Sequence, residues 1–140
     1  KKALNRLLPM LPLYWGRILM ADTVKSRNRE LVLSAARFIE EHQGEDTVIL
    51  DISEESSFTD YFIIAGVTSE GHVRGLCRNL SAFLSDRGVH IPGTQKHAVE
   101  YGWTLIDCGF FVIHLMDQEH RDFYELERLW HAGKILYPPA

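Results

Sequence analysis

Residues 61–84 read YFIIAGVTSEGHVRGLCRNLSAFL, and the change of period within them decides the fold. Tyr61, Phe62, Ile63, Ile64, Ala65 and Val67 form a short apolar run, the pattern of a strand buried on both faces. Thr68 and Ser69 then suit a helix start, because a side-chain oxygen can accept one of the unpaired N–H groups of the first turn. Beyond them Val73, Leu76, Cys77, Leu80, Phe83 and Leu84 recur at three- and four-residue steps until Gly88 ends the stripe. A strand feeding such a helix predicts a right-handed crossover to another strand of the same sheet.

The neighbouring segments extend this unit. Residues 47–52 are a second β-branched run, separated from the first by polar residues 53–60. From Asn28, helical spacing brings together Leu31, Ala35, Phe38, Ile39 and His42, and Gly44 supplies a left-handed stop. Downstream, residues 89–91 read as a short strand and 92–98 as a polar loop. Residues 101–106 and 110–116 read as strands joined by the turn Asp107-Cys108-Gly109. Residues 119–130 carry Phe123, Leu126 and Trp130 at helical spacing, with Tyr124 and Leu129 beside them. The order predicts an α/β fold: a single-domain sandwich with a four- or five-stranded mixed β-sheet and about three helices.

Composition bounds the function. The 140 residues are 46% hydrophobic and 24% charged, enough for one ordinary core. The net charge of −4 hides a division. Residues 1–29 hold seven bases and one acid, whereas residues 30–140 hold eight bases and eighteen acids, or −10. That acidic body repels phosphate, so a basic protein partner is expected and little direct nucleic-acid contact. Residues 1–26 read as a basic arm, 27–131 as the α/β domain and 132–140 as a tail. The apolar stretch 7–20 is broken by Pro9, Pro12 and Arg17, too short to span a membrane, and its prolines spoil an amphipathic helix. Its leading lysines resemble a signal peptide and its few acids an organellar presequence, yet no small-residue cleavage site follows, and Met20 is an internal start candidate. Cys77 and Cys108 have neither zinc-site nor disulfide-framework spacing, which fits a reducing compartment.

Catalytic motifs are weak. Gly66 and Gly71 bracket a phosphate-loop-like segment, but His72 and Val73 stand where that loop needs Lys and Ser/Thr, so a capped helix start is the simpler reading. The seven histidines include no metal-binding helical pair, and no cofactor or metal is expected. Cys108 lacks a neighbouring base, and carboxylates such as Glu54 and Glu55 lie in polar loops. The hairpin is more informative. One of Phe110 and Phe111 must face away from the core, and Trp103 is either core or the hot spot of an interface. His114, alternating within an apolar strand, is expected to be half-buried and hydrogen-bonded.

The residues Leu50-Asp51-Ile52-Ser53, Thr59 to Ile64, Gly66, Ser69, His72-Val73-Arg74, Trp103, Asp107, Gly109, Val112, His114 and the segment Arg121 to Trp130 resemble the ribosomal silencing factor family, also called Iojap-related proteins. The similarity keeps order and spacing over some hundred residues. It implies a non-enzymatic factor that binds the large ribosomal subunit through large-subunit ribosomal protein fourteen and sterically blocks the small subunit, repressing translation under nutrient limitation. It also implies a fold resembling nucleotidyltransferases, although no Asp-x-Asp metal pair follows Gly66 and Ser69. By the same resemblance the partner-facing residues are Trp103, Asp107, Cys108, Gly109, Phe110 and His114. Two depart from the family pattern: Cys108 replaces a large apolar residue and Phe110 an Asp. A cytoplasmic bacterial protein is expected, with an organellar copy as the alternative, no membrane association, and a homodimer through an edge strand. The competing readings are a nucleotide-binding or nucleotidyltransferase-related enzyme using loop 66–71, and an RNA-binding accessory domain using the basic arm.

Overall fold

The computed structural model describes residues 11–91, 96–130 and 133–139. Two compact units, residues 1–30 and 31–140, are distinguished. Helix α1 is Leu11–Glu41, so helical structure begins well before Asn28. Pro12 does not prevent this: it occupies the first turn, where its missing N–H has no helical partner to lose. Pro9 lies outside the described residues.

In residues 31–140 the sheet has six strands in the order β3-β4-β5-β2-β1-β6. They are β1 Glu45–Asp51, β2 Tyr61–Gly66, β3 Lys96–Glu100, β4 Trp103–Asp107, β5 Phe111–Met116 and β6 Lys134–Tyr137. Central strands β2 and β5 run parallel, with Ile63 opposite Ile113 and Ile64 opposite His114. The other pairings are antiparallel. Both central strands are buried at every position, as their continuous apolar runs require.

Alternation sorts their side chains into two cores. Tyr61, Ile63, Ala65, Phe111, Ile113 and Leu115 pack with Val32, Ala35, Ala36 and Ile39 of α1 and with Leu76, Cys77, Leu80 and Leu84 of α2, Glu70–Ser85. Phe62, Ile64, Val112 and Met116 form the second core with Leu50, Ile52 and Leu126. Each fully enclosed aliphatic side chain contributes roughly 1.5–3 kcal/mol by leaving water. Ser69 caps α2 as expected, its Oγ accepting the His72 N–H at 3.0 Å.

Several expectations change. Residues 89–91 are not a strand, and residues 96–98 of the expected loop belong to β3, while 92–95 lie outside the described residues. The tail contributes β6, giving six strands rather than four or five. The left-handed residue after α1 is Gln43, at φ 72°, not Gly44. Gly44 is required for another reason: a Cβ there would collide with Ile39, whose carbonyl oxygen would lie 2.9 Å away. The final helix is split into α3, Gln118–Tyr124, and α4, Leu126–Leu129, by Glu125 in the left-handed region at φ 45°.

Candidate functional site

Antiparallel pairing of β4 with β5 places Leu105 opposite His114 and Trp103 opposite Met116. Trp103 is therefore a diagonal neighbour of His114 on the second sheet face. Its indole Nε1–H donates to His114 Nδ1 at 3.2 Å. Because Nδ1 accepts, the proton of the neutral ring resides on Nε2, which is buried and has no hydrogen-bond partner. The ring of His114 meets Phe62 edge-on at 4.6 Å, an aromatic rather than aqueous environment. Burial consequently holds its pKa down, at about 4 rather than 6.5. His114 is 4% exposed and so more deeply enclosed than its sequence position predicts.

An aromatic strip runs from this pair to the surface. Trp103 is half-buried, with the Tyr124 ring 4.7 Å away, and Phe123 lies 5.0 Å beyond Tyr124. Phe123 is 79% exposed and Tyr124 39%. The expected stripe of Phe123, Leu126 and Trp130 is thus broken: Leu126 enters the second core, Trp130 packs half-buried against Phe62, and Phe123 faces solvent.

Carboxylates rim the strip. Tyr124 donates its hydroxyl proton to Glu100 at 2.7 Å, which raises the phenol pKa. Asp117 caps α3 by accepting the His120 N–H at 2.9 Å, and His120 Nδ1 donates to the same oxygen at 2.6 Å. His120 Nε2 lies 3.3 Å from Glu100. The hydrogen bond to Asp117, followed by the charges of Asp117, Glu100 and Glu119, outweighs desolvation and raises the His120 pKa. For Asp117, burial pushes upward, but the backbone and ring N–H groups of His120 leave its pKa lowered. Gly102, at φ 91°, lets the β3–β4 turn approach, since a Cβ there would collide with the Asp117 carboxylate. Glu70, Glu100, Asp117 and Tyr101 line an adjoining cleft of about 410 Å³.

The other sequence-predicted residues lie elsewhere. Asp107, Cys108, Gly109 and Phe110 form the turn at the opposite end of β4 from Trp103, roughly 13 Å along the strand. Asp107 Oδ1 accepts the Gly109 N–H at 2.9 Å, and Phe110 O accepts the Asp60 N–H at 2.9 Å. Phe110 does not project as a free aromatic: it is half-buried against the first core, with the Phe111 ring at 4.9 Å. Trp103 and Phe110 therefore serve different faces of the sheet and make no joint hydrophobic centre. Burial, then the charge of Asp107, pushes the Cys108 thiol up to about 12, which keeps it protonated and unreactive.

The phosphate-loop-like segment is committed to internal contacts. His72 Nδ1 accepts from the Thr68 N–H at 3.2 Å, which fixes the ring proton on Nε2, and Nε2 donates to the His42 carbonyl at 3.0 Å. Among the described residues no group of three or more His, Cys, Asp or Glu side chains is placed to hold a metal ion. Sequence reasoning missed Glu100, Asp117, His120 and Tyr124. Asp117, three residues before His120 at the edge of a strand, carried an N-cap signal that pointed to them.

The architecture defines a small α/β domain on a mixed sheet, and solved structures share it. A crystal structure of a protein from Chromobacterium violaceum superposes with a TM-score of 0.66 at 30% identity, over 79% of this chain and 92% of that one. One from Bacillus halodurans gives 0.60 at 29% identity, over 72% and 93%. Residues 25–138 match the family model described as ribosomal silencing factor during starvation, and the chain belongs to that family. Ribosomal silencing factor RsfS of Chromobacterium violaceum is 34% identical over 107 residues, 76% of this chain and 86% of its own length. Mitochondrial assembly of ribosomal large subunit protein 1 of Mus musculus is 35% identical over 98 residues, 66% of this chain and 41% of its own length. Among the described residues no helix is long and apolar enough to cross a membrane.

Proposed function

We propose that the protein binds the large ribosomal subunit through large-subunit ribosomal protein fourteen and prevents the small subunit from joining by occupying its place. The aromatic strip carries this reading: Trp103, Tyr124 and Phe123 offer a compact apolar centre, and Glu100 and Asp117 give it an acidic rim. Buried aromatics supply short-range affinity, while the −10 body steers toward a basic protein. His114 positions Trp103 by fixing its indole, and Asp107 and Gly109 extend the contact along the hairpin. Cys108 and Phe110 hold the turn in shape. The function is binding itself, with no bond made or broken, and it represses translation in the cytoplasm of a bacterium when nutrients are short. An organellar setting is the alternative, and an edge strand, β3 or β6, is the surface for a homodimer.

Competition with subunit joining calls for a dissociation constant below about 1 μM, roughly −8 kcal/mol or better. Phe123→Glu places a charge on an exposed ring without disturbing the core, and Trp103→Ala removes the centre of the strip. Both are expected to weaken co-sedimentation with isolated large subunits at least tenfold and to restore joining. Undiminished pelleting of the folded variants would sink the proposal. Heat released on titration with magnesium nucleotides would favour the nucleotide-binding reading instead.

A further inference from the structure

Beyond the protein contact, α1 offers a surface of opposite sign. Arg17, Lys25, Arg27 and Arg29 are all exposed on it, against the acids Asp22 and Glu30. Arg17, Ala21, Lys25 and Arg29 fall on one i, i+4 row, a line of three cations about 18 Å long. Trp15, two residues before that row and about 160° around the helix axis from Arg17, is 58% exposed. We infer that residues 17–29 of α1 form an RNA-binding element, in which Arg17, Lys25 and Arg29 contact backbone phosphates.

Charge complementarity identifies the occupant. Residues 30–140 carry −10 and repel a phosphate backbone, so RNA contact is confined to this helix, where four bases and one acid occur in residues 15–29. An anionic membrane would meet the same cations, but membrane-surface helices segregate a broad apolar face from a charged one. Here the exposed apolar residues are not segregated: Trp15 and Leu19 lie on one side of the axis, Met20 and Val24 on another, and the exposed Thr23, Arg27 and Glu30 fall between the two pairs. A row of cations without a segregated apolar face matches a phosphate backbone, whose charges repeat along the strand.

The test uses the full chain and a fluorescein-labelled RNA hairpin with a six-nucleotide single-stranded tail, followed by anisotropy between about 50 and 200 mM KCl. The triple variant Arg17→Gln/Lys25→Gln/Arg29→Gln is expected to bind at least tenfold more weakly. Its dependence of log affinity on log salt should be shallower by about 2–3, since each phosphate contact releases somewhat less than one counterion. Asp22→Asn should tighten binding about twofold or more, and Trp15→Ala, on the far side of the helix from Arg17, should leave both affinity and salt slope unchanged. Phe123→Glu, which weakens the ribosomal contact, should leave RNA affinity unchanged, so the two proposals fail separately. Absence of wild-type binding near 50 mM KCl overturns the inference. So does a folded triple variant with wild-type affinity and slope, or binding to phosphatidylserine vesicles but not to RNA.

Discussion

Replacing Gly102 with alanine would show whether the β3–β4 turn is held to α3 as closely as its geometry requires. Two costs arise. An L-residue at φ 91° meets its own carbonyl, at about 1–2 kcal/mol. The new Cβ would also collide with Asp117 and lie 2.8 Å from His120 Nδ1, forcing the carboxylate away. Loss of that N-cap costs about 1 kcal/mol more. Gly88→Ala isolates the first cost, because Gly88 has φ 83° and its added methyl would meet nothing within 4 Å. Gly102→Ala should therefore be less stable than Gly88→Ala by about 1 kcal/mol, a urea midpoint lower by roughly 0.3–1 M. The imidazole titration of His120, followed by NMR, should also move back down toward 6.5, since its raised value rests first on the Asp117 hydrogen bond. Equal midpoints for the two variants, with His120 unmoved, would refute the close approach.

Other consequences are independent of that turn. His114 is neutral in the fold with a pKa near 4 against 6.5 when exposed, so the unfolded chain binds more protons between these values. Stability should fall as pH drops from about 6.5 to 4, by about 3 kcal/mol at most, and His114→Phe should flatten that limb of the urea-midpoint profile. His120 has the opposite sign: its raised pKa gives stability that is lost as pH rises through the folded value. Cys108, with its thiol near 12, should react with an aromatic disulfide reagent at pH 8 only on unfolding; rapid labelling of the native protein would contradict its burial. Arg121 donates to the Glu45 carbonyl at 3.1 Å and the Asp46 carbonyl at 2.6 Å while pairing with Glu127. Arg121→Ala should lower stability by about 1–3 kcal/mol in thermal unfolding, and an unchanged melting temperature would deny it that bridging role.

Much of the fold was legible because β2, α2 and β5 are locally consistent: a continuous apolar run needs burial on both faces, and a 3.6-residue stripe needs one. The Asp107-Cys108-Gly109 turn was legible for the same reason, since Asp107 accepting the Gly109 N–H is local turn chemistry. Strands β3 and β6 were not. Residues 96–100 and 134–137 become strands only by pairing with β4 and β1 at the sheet edges, and KHAVE has little apolar alternation of its own. At the site, Trp103 and His114 were found, but their bond depends on register, which sequence spacing does not supply. Phe110 was misplaced because alternation assigns a face only within a strand, and Phe110 precedes β5 in the turn.

The break at Glu125 explains why the strip is exposed. If α3 continued through residue 125, Phe123, Leu126 and Trp130 would share one helical stripe and all be drawn toward the sheet. Glu125 at φ 45° ends α3 after seven residues and restarts the chain in a new direction. Leu126 is then delivered to the second core and Trp130 to Phe62, while Phe123 is left 79% exposed beside Tyr124. A left-handed glutamate has no glycine-like freedom, so the turn must be held by its surroundings. Those are at hand: the Glu125 N–H donates to the Arg121 carbonyl at 3.1 Å, and the Arg121 side chain binds Glu127 beyond the break. Arg121 therefore links the start of β1 to the bend that uncovers the aromatic surface, which makes its ion pair with Glu127 part of what leaves Phe123 and Tyr124 exposed beside Trp103.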